Sequence, residues 1–258
     1  MQSLSPQLLA LDFDGVLCNG LVEYFQTTWH AYCQLESREG DPPSKLASPF
    51  YRTRPVIETG WEMPVLLHAL LQGIPEGDIL QDWPDISQRM MQQTNWSVPD
   101  LAAAVDGYRD RWIASDLNGW LACHTFYPGV IDRLRLWVTC ELPLAIVTTK
   151  EERFARQLLR QEGIELPEGR VFGKAVKRPK HETLRLLGAT SGTEIWFVED
   201  RLKTLKSVNQ QPDLLSVKLF LADWGYNVPA DRHAARQNNR IHLLSLKRFV
   251  GDFEEWLQ

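Results

Sequence analysis

The sequence has little of what marks a zinc-binding, disulfide-rich or secreted protein. Its 258 residues include only four cysteines, and no two of them form a C-x-x-C pair. This scattering predicts neither a zinc site nor a disulfide framework. We therefore expect the cysteines to be small, buried apolar residues in a reducing compartment. They are Cys18, Cys33, Cys123 and Cys140.

Long apolar runs and an excess of basic residues are also missing. The apolar run from Leu8 to Leu11 ends at Asp12, too early for a signal peptide or a membrane span. The formal net charge is −5, whereas nucleic-acid binding selects clustered Lys and Arg. We therefore expect a cytoplasmic protein that binds neither nucleic acid nor membranes.

The pattern of apolar residues changes along the chain. Between about residues 19 and 123 it indicates helices and loops without a convincing buried strand, and residues 37–48 read as an exposed loop. From residue 126 onward, short apolar strands alternate with helices, which predicts a doubly wound α/β fold with a mainly parallel sheet. We predict strands over 142–147, 171–172, 195–198 and 217–221, and a closing helix over 245–257.

The strongest chemical signal is Asp12-Phe13-Asp14-Gly15, directly after the first apolar strand. Two carboxylates two residues apart repel each other, so a hard cation such as Mg²⁺ is expected beside them. An Asp oxygen can also attack phosphorus and form an aspartyl-phosphate. Gly15 permits a tight turn out of the strand. An Asp-rich turn is often only a turn, but the position after a buried strand favours a function.

Three more polar segments follow predicted strands, where parallel sheets bind ligands. A hydroxyl and amides of Thr148-Thr149-Lys150 suit phosphate, although threonine is common in strands. The basic run 177–181 offers an ammonium that could hold a nucleophile and a phosphoryl group together, or is simply a solvated loop. Glu199-Asp200 would complete an acidic metal pocket, unless Asp200 only caps a helix.

These four segments, in this order, resemble the motifs of the haloacid dehalogenase (HAD) superfamily over nearly the whole chain. Asp12-Phe13-Asp14-Gly15-Val16 resembles its first motif, Thr148 its second-motif hydroxyl and Glu199-Asp200 its fourth-motif acidic pair. Val147-Thr148-Thr149-Lys150 followed by a helix is similar to phosphoglycolate phosphatases. The chain departs from many members at Thr204, where they carry another acid or Asn.

The third-motif lysine has several candidates. Many members place it immediately before the proline, where this chain has Arg178. A compact ammonium contacts two oxygens at one point better than a broad guanidinium does. Lys180 begins a helix, as the lysine does in phosphoserine phosphatases, so we choose Lys180, with Lys177 second and Lys174 also considered.

The resemblance implies a Rossmann-like core, residues 1–18 and 124–258, with a helical cap, residues 19–123, inserted after the first motif. It implies a Mg²⁺-dependent phosphatase acting on a small phosphorylated metabolite. In the cap, we expect Arg52 or Arg54 to reach the non-reacting end of the substrate, because arginine suits carboxylate and phosphate. An exposed surface pair is the alternative.

The resemblance also assigns roles to residues of the core. Asp12 is the expected nucleophile and Asp14 the general acid/base, with catalytic support from Thr148 and Lys180. The expected metal ligands are Asp12, Asp14, Glu199 and Asp200, and the expected phosphate-binding residues are Gly15, Thr149 and Lys150.

Other activities use the same kind of site. A phosphomutase would pass the phosphoryl group to a second hydroxyl, and a non-enzymatic phospho-receiver also combines an acidic pocket with Thr and Lys. A receiver is short, and a long insertion after the first Asp pair does not suit it. A dehalogenase needs no acid at the position of Asp14, so Asp14 argues against that activity.

Overall fold

A computed structural model of the protein describes residues 5–188 and 192–257. The chain divides into two compact units, of which Gly20–Thr125 form one and the segments on either side of it form the other. The predicted insertion, residues 19–123, differs from these bounds by one residue at its start and two at its end. The roles of core and cap stay predictions.

The unit outside Gly20–Thr125 is built on a six-stranded sheet whose neighbouring strands are all parallel. Its strands are β1 (Leu8–Leu11), β4 (Leu144–Val147), β5 (Val171–Phe172), β6 (Ile195–Glu199), β7 (Lys218–Ala222) and β8 (Ile241–Leu244). They lie in the order β5-β4-β1-β6-β7-β8, so the chain builds outward from β1 in both directions. Two further short strands are β2 (Cys18–Asn19) and β3 (Thr125–Phe126).

Both faces of this sheet are covered, which explains why its central strands β1 and β6 are apolar at every position before Glu199. Phe197 of β6 packs in a cluster with Leu205 and Val208, whereas the neighbouring Trp196 points to the opposite face. There its ring lies 5.7 Å from that of Trp256. The helices of this unit are α7 (Val130–Thr139), α8 (Glu152–Gln161), α9 (Lys180–Leu186), α10 (Leu202–Asn209), α11 (Pro229–Arg236) and α12 (Leu246–Phe249). The predicted doubly wound α/β fold is confirmed.

The unit Gly20–Thr125 is helical and has its own apolar core, which includes Phe25, Trp29, Leu66 and Ile86. Ser97 caps α5 by accepting a hydrogen bond from the Asp100 amide at 3.3 Å. Its helices are α1 (Leu21–Leu35), α2 (Ser44–Thr53), α3 (Glu62–Leu71), α4 (Glu76–Thr94), α5 (Val98–Ser115) and α6 (Leu117–Ala122). None of the helices in the described part of the chain combines the length and apolarity needed to cross a bilayer.

Several sequence-based expectations are wrong in detail. The closing helix over 245–257 is instead the short α12 and a 3₁₀ turn, Phe253–Glu255, separated around Gly251. Its apolar spacing reflects burial of Phe249 and Trp256 rather than one continuous helix. The expected loop over 37–48 contains the start of α2, and β8 was not predicted at all. The four cysteines, all in the described part of the chain, form no disulfide, but Cys140 is exposed and Cys123 half-buried rather than buried.

Candidate active site

Asp12 follows β1 directly, in the middle of the sheet, where the order of strands reverses. Its backbone amide continues the β1–β6 pairing by donating to the Val198 carbonyl at 2.9 Å. Its carboxylate accepts a hydrogen bond from the Phe13 amide at 2.8 Å. The residue is only 7% exposed. In open α/β sheets, this reversal point at the carboxyl ends of the strands is where ligands bind.

The end of β6 brings two further carboxylates to Asp12. Glu199 and Asp200 are fully buried, and with Asp12 each offers an oxygen within 4.8 Å of the others. The cluster follows from topology, because β1 and β6 are adjacent and parallel, with Leu11 opposite Val198. Asp14, which we expected to bind the metal through its backbone carbonyl, contributes no side-chain oxygen to this cluster in the described chain.

One lysine contacts two of the three acids. Lys180 begins α9, and its Nζ lies 2.9 Å from Asp12 Oδ2 and 2.7 Å from Glu199 Oε2. Its side chain is 13% exposed, so the ion pairs are shielded from water. A shielded ammonium that touches two carboxylates holds them in a defined geometry and offsets part of their charge.

The buried acids have perturbed pKa values because their charges are only partly compensated. Burial and then the neighbouring Glu199 raise the pKa of Asp12 to about 7, against the opposing effect of Lys180. Burial, followed by the charge of Asp12, raises the pKa of Asp200 to about 6. Burial also raises the pKa of Glu199. For Lys180, burial alone lowers the pKa, but Asp12 and Glu199 together raise it above its usual value.

Three buried carboxylates beside one ammonium fit a divalent cation. Hard carboxylate oxygens are the ligands that Mg²⁺ selects, and its charge would compensate the two formal negative charges that Lys180 leaves. The residues that could hold it are Asp12, Glu199 and Asp200.

Asp14 lies outside the cluster and is paired with a different lysine. Lys150 Nζ lies 3.2 Å from Asp14 Oδ1 and 3.3 Å from Asp14 Oδ2. The side chains are 8% and 16% exposed, respectively. Lys150, which we expected at the phosphate, therefore contacts the expected acid/base.

The loop after β4 buries Thr148 and leaves Thr149 exposed. Thr148 is 6% exposed, and its Oγ1 accepts a hydrogen bond from the Lys150 amide at 3.1 Å. A hydroxyl that accepts one hydrogen bond can still donate another, so this contact is compatible with phosphate binding. Thr149 is exposed and is not part of the buried cluster.

Comparison with solved structures shows what this architecture is similar to. A predicted phosphoglycolate phosphatase from Haemophilus somnus 129pt has a TM-score of 0.61 at 16% identity, covering 97% of this chain and 96% of that one. A predicted phosphatase from Clostridium acetobutylicum has a TM-score of 0.58 at 13% identity, with coverages of 95% and 96%. A haloacid dehalogenase-like family hydrolase from Streptococcus pneumoniae has a TM-score of 0.57 at 15% identity, with coverages of 94% and 94%.

The chain has the HAD-like fold. No family model and no curated protein sequence matches it. At such low identity the likeness concerns the fold, so the functional argument depends on the side chains themselves.

Within the HAD-like fold, the structure separates the third-motif candidates. Lys180 reaches Asp12, whereas Lys174, Lys177 and Arg178 are exposed on the segment before α9. Lys177 lies at φ +49°, so the chain turns sharply there before Pro179 begins the approach to the helix. This placement favours Lys180 among the four.

The two arginines expected at the substrate make contacts inside their own helical unit. Arg52 forms an exposed pair with Glu76, with Nε 2.7 Å from Oε2. Arg54 donates to the Ile57 carbonyl at 3.1 Å, and its guanidinium lies 4.8 Å from the centre of the Tyr24 ring.

Sequence reasoning missed the segment that holds Asp200. The Tyr226 amide donates to Asp200 Oδ2 at 2.7 Å, and Asn227 Nδ2 donates to the Asp200 carbonyl at 3.1 Å. Gly15, at φ +87°, and Gly225 both leave no room for a Cβ, because it would overlap Asp200. The available signal was the glycine just after β7, since β7 ends beside β6.

Proposed function

We propose that the protein is a Mg²⁺-dependent phosphatase that hydrolyses a small phosphorylated metabolite through an aspartyl-phosphate on Asp12. The observation that supports this proposal is the buried cluster of three carboxylates with Lys180 bridging Asp12 and Glu199. Similar solved structures that are named predicted phosphatases support the same reaction class.

In the first step, an Asp12 oxygen attacks phosphorus as the bond to the leaving oxygen breaks, and Asp14 gives its proton to that oxygen. In the second step, Asp14 takes a proton from water, the resulting hydroxide attacks phosphorus, and the bond to Asp12 breaks. Asp12 is suited to the first step because the Phe13 amide and Lys180 hold its carboxylate in place.

The transferring phosphoryl group carries negative charge on its equatorial oxygens. Lys180 and the Thr148 hydroxyl are the side chains proposed to bind those oxygens, together with Gly15, Thr149 and amides of their loops. Mg²⁺, when bound by Asp12, Glu199, Asp200 and the Asp14 carbonyl, would neutralise part of the phosphate charge.

The metal requirement tests this proposal. Hydrolysis of p-nitrophenyl phosphate by the chelated protein should be absent and should return when Mg²⁺ is added. Asp12→Asn should abolish it, since an amide is not a competent nucleophile. Asp213→Asn is the matched control, because Asp213 is a surface acid paired with Arg185. Full activity after exhaustive chelation would contradict the proposal.

The fate of the phosphoryl group separates the phosphatase from its alternatives. A phosphatase releases inorganic phosphate with repeated turnover. A mutase would convert one sugar phosphate into an isomer, and a receiver would retain one stable phosphoryl group per chain. Assay of free phosphate and of isomerised product from a panel of phosphorylated metabolites distinguishes the three.

We also propose that one cap arginine recognises the non-reacting end of the substrate. The candidates are Arg52, which pairs with Glu76 at the surface, and Arg54, which donates to the Ile57 carbonyl. Replacement of the recognising arginine by alanine should raise KM for the best metabolite found in the panel and leave p-nitrophenyl phosphate unaffected. If neither Arg54→Ala nor Arg52→Ala changes the kinetics on either substrate, neither residue contributes to substrate recognition.

A further inference from the structure

The second lysine at the candidate site has a contact that phosphate binding does not explain. We propose that Lys150 is a positioning residue, which holds the carboxyl group of Asp14 in the orientation needed for proton transfer to the leaving oxygen. The inference rests on the proposed phosphatase reaction, and it replaces the expectation that Lys150 binds the phosphoryl group.

The Lys150 ammonium contacts both carboxyl oxygens of Asp14, and this contact is shielded from water. Lys150 Nζ lies 3.2 Å and 3.3 Å from the two oxygens of Asp14, so it approaches both rather than one. The side chains are 8% and 16% exposed, in contrast to Arg153 nearby, whose side chain is 65% exposed. An ion pair that is shielded from water is stronger and better ordered than a surface pair.

The backbone of Lys150 is fixed on both sides. Its amide donates to Thr148 Oγ1 at 3.1 Å, and its carbonyl accepts from the Lys174 amide at 2.9 Å. Gly173 makes this approach feasible, because a Cβ there would lie 2.6 Å from the Lys150 carbonyl oxygen. The lysine is therefore anchored to the ends of β4 and β5 before its side chain extends to Asp14.

The backbone of Asp14 is fixed as well. The next residue, Gly15, donates its amide to the Cys18 carbonyl at 2.8 Å, and the amides of Leu17 and Cys18 both donate to the Phe13 carbonyl at 2.9 Å. Asp14 itself forms a parallel bridge with Cys18. Because both partners project from closely hydrogen-bonded turns, the contact between them is set by the fold.

This arrangement gives the two lysines separate tasks. Lys180 lies against Asp12, whose oxygen bonds to phosphorus, and Lys150 lies against Asp14, whose proton passes to the leaving oxygen. Because the Lys150 ammonium contacts both oxygens of Asp14, it fixes the orientation of that carboxyl group relative to the leaving oxygen. Loss of Lys150 should therefore matter most when the leaving oxygen needs protonation.

The dependence on the leaving group tests the inference. We compare kcat/KM for p-nitrophenyl phosphate, whose leaving group needs no proton, with kcat/KM for glycerol 2-phosphate, whose alkoxide does. Lys150→Met should lower the value for glycerol 2-phosphate by about 10²-fold and that for p-nitrophenyl phosphate by less than about 10-fold, since general acid catalysis contributes on that scale. Arg153→Met, which removes an exposed cation from the start of α8, is the control and should change neither.

A double-mutant cycle and product inhibition complete the test. In an Asp14→Asn background, Lys150→Met should cause no further loss, because it acts through Asp14. The inhibition constant of inorganic phosphate should stay unchanged in Lys150→Met. Equal losses on both esters with weaker phosphate inhibition, additive losses in the cycle, or unchanged kinetics would each overturn the inference. A wild-type protein without activity on any phosphate ester would instead refute the proposed phosphatase, and this inference with it.

Discussion

Both units of the protein bury carboxylates next to a cation, but they compensate the charge differently. In the helical unit, Glu23 is 1% exposed and its Oε1 accepts from Arg109 at 2.8 Å, Thr27 at 2.7 Å and Trp120 at 3.2 Å. The buried anion has its own cation, which also approaches the exposed Asp106 at 3.6 Å, and Glu23 Oε1 has three hydrogen-bond donors. In the α/β unit, three buried carboxylates cluster together, and Lys180 contacts two of them, Asp12 and Glu199.

The difference separates a structural site from a functional one. A paired buried charge can persist without a ligand, because Coulomb attraction and hydrogen bonds offset the loss of hydration. Like charges buried together without enough cations cost stability, and they shift pKa values instead. Glu23 and Arg109 join α1 to α5, so folding explains them. The three clustered carboxylates in the α/β unit are not matched in this way, which supports the proposed binding of a divalent cation.

The largest effect is expected when the shared cation of the acidic cluster is removed. Lys180→Met should lower kcat for phosphate-ester hydrolysis by at least about 10³-fold, because misplacement of about 1 Å at a reacting centre already costs on the order of 10²-fold. Lys177→Met is the matched control, since Lys177 is exposed on the preceding turn. A collapse of activity in Lys177→Met with Lys180→Met near wild type would show that the third motif is misassigned.

Removal of Arg109, the cation paired with Glu23 in the helical unit, should lower stability rather than activity. Arg109→Met removes the cation that contacts the buried Glu23 carboxylate, so the free energy of unfolding should fall by about 3–5 kcal/mol. Urea denaturation followed by circular dichroism measures this loss. Adding Glu23→Gln to Arg109→Met should recover much of it, because no uncompensated charge remains. A loss below about 1 kcal/mol for the single variant would place this pair with ordinary surface pairs.

The unbalanced cluster should make metal-free stability depend on pH. The pKa of Asp12 is about 7 in the folded protein, above the ordinary value of 3.8, so the folded state takes up this proton first as the pH falls. In chelator, the unfolding free energy of wild type relative to Asp12→Asn should therefore rise as the pH falls from 8 to 5. Saturating Mg²⁺ should suppress that rise. A difference that stays flat in chelator would mean that burial and the neighbouring Glu199 do not raise the pKa of Asp12.

A smaller effect is expected from the turn that supports Asp200. Gly225→Ala forces a Cβ against Asp200 and should weaken Mg²⁺ binding by about 10–100-fold, the usual scale for groups that orient metal ligands. Calorimetric titration gives the affinity directly, independent of turnover. Gly251→Ala is the control glycine, as its new Cβ would lie no closer than 3.2 Å to any neighbour. Equal Mg²⁺ affinities in wild type and Gly225→Ala would show that this turn does not support metal binding.

Sequence patterns identify residues that stand at the ends of strongly apolar runs. Asp12 and Glu199 could be found because each ends an apolar run, and the adjacency of β1 and β6 then brings them together. The strand β8 was missed because it lies at the edge of the sheet and is only half buried at His242 and Leu243, which weakens its apolar pattern. Periodicity also predicted burial near the C-terminus correctly but gave no sign of the break at Gly251.

Sequence patterns did not predict the hydrogen bonds of backbone amides or the side-chain partner of Lys150. The Tyr226 amide holds Asp200, and an amide has no residue-type signature. Lys150 stands in a segment that matched a phosphate-binding motif, yet its side chain turns to Asp14. The contact between Lys150 and Asp14 depends on how the backbone of Lys150 is held by Thr148 and Lys174, and a sequence pattern does not encode those hydrogen bonds.

The most direct test of the central claim is calorimetric titration of Mg²⁺ into the chelated protein. The claim is that the unbalanced acidic cluster is built to hold a divalent cation. It predicts one ion per chain for wild type and for the surface control Asp213→Asn, and loss of that binding in Asp200→Asn. Absence of Mg²⁺ uptake by the wild-type protein, or unchanged affinity in Asp200→Asn, would contradict it.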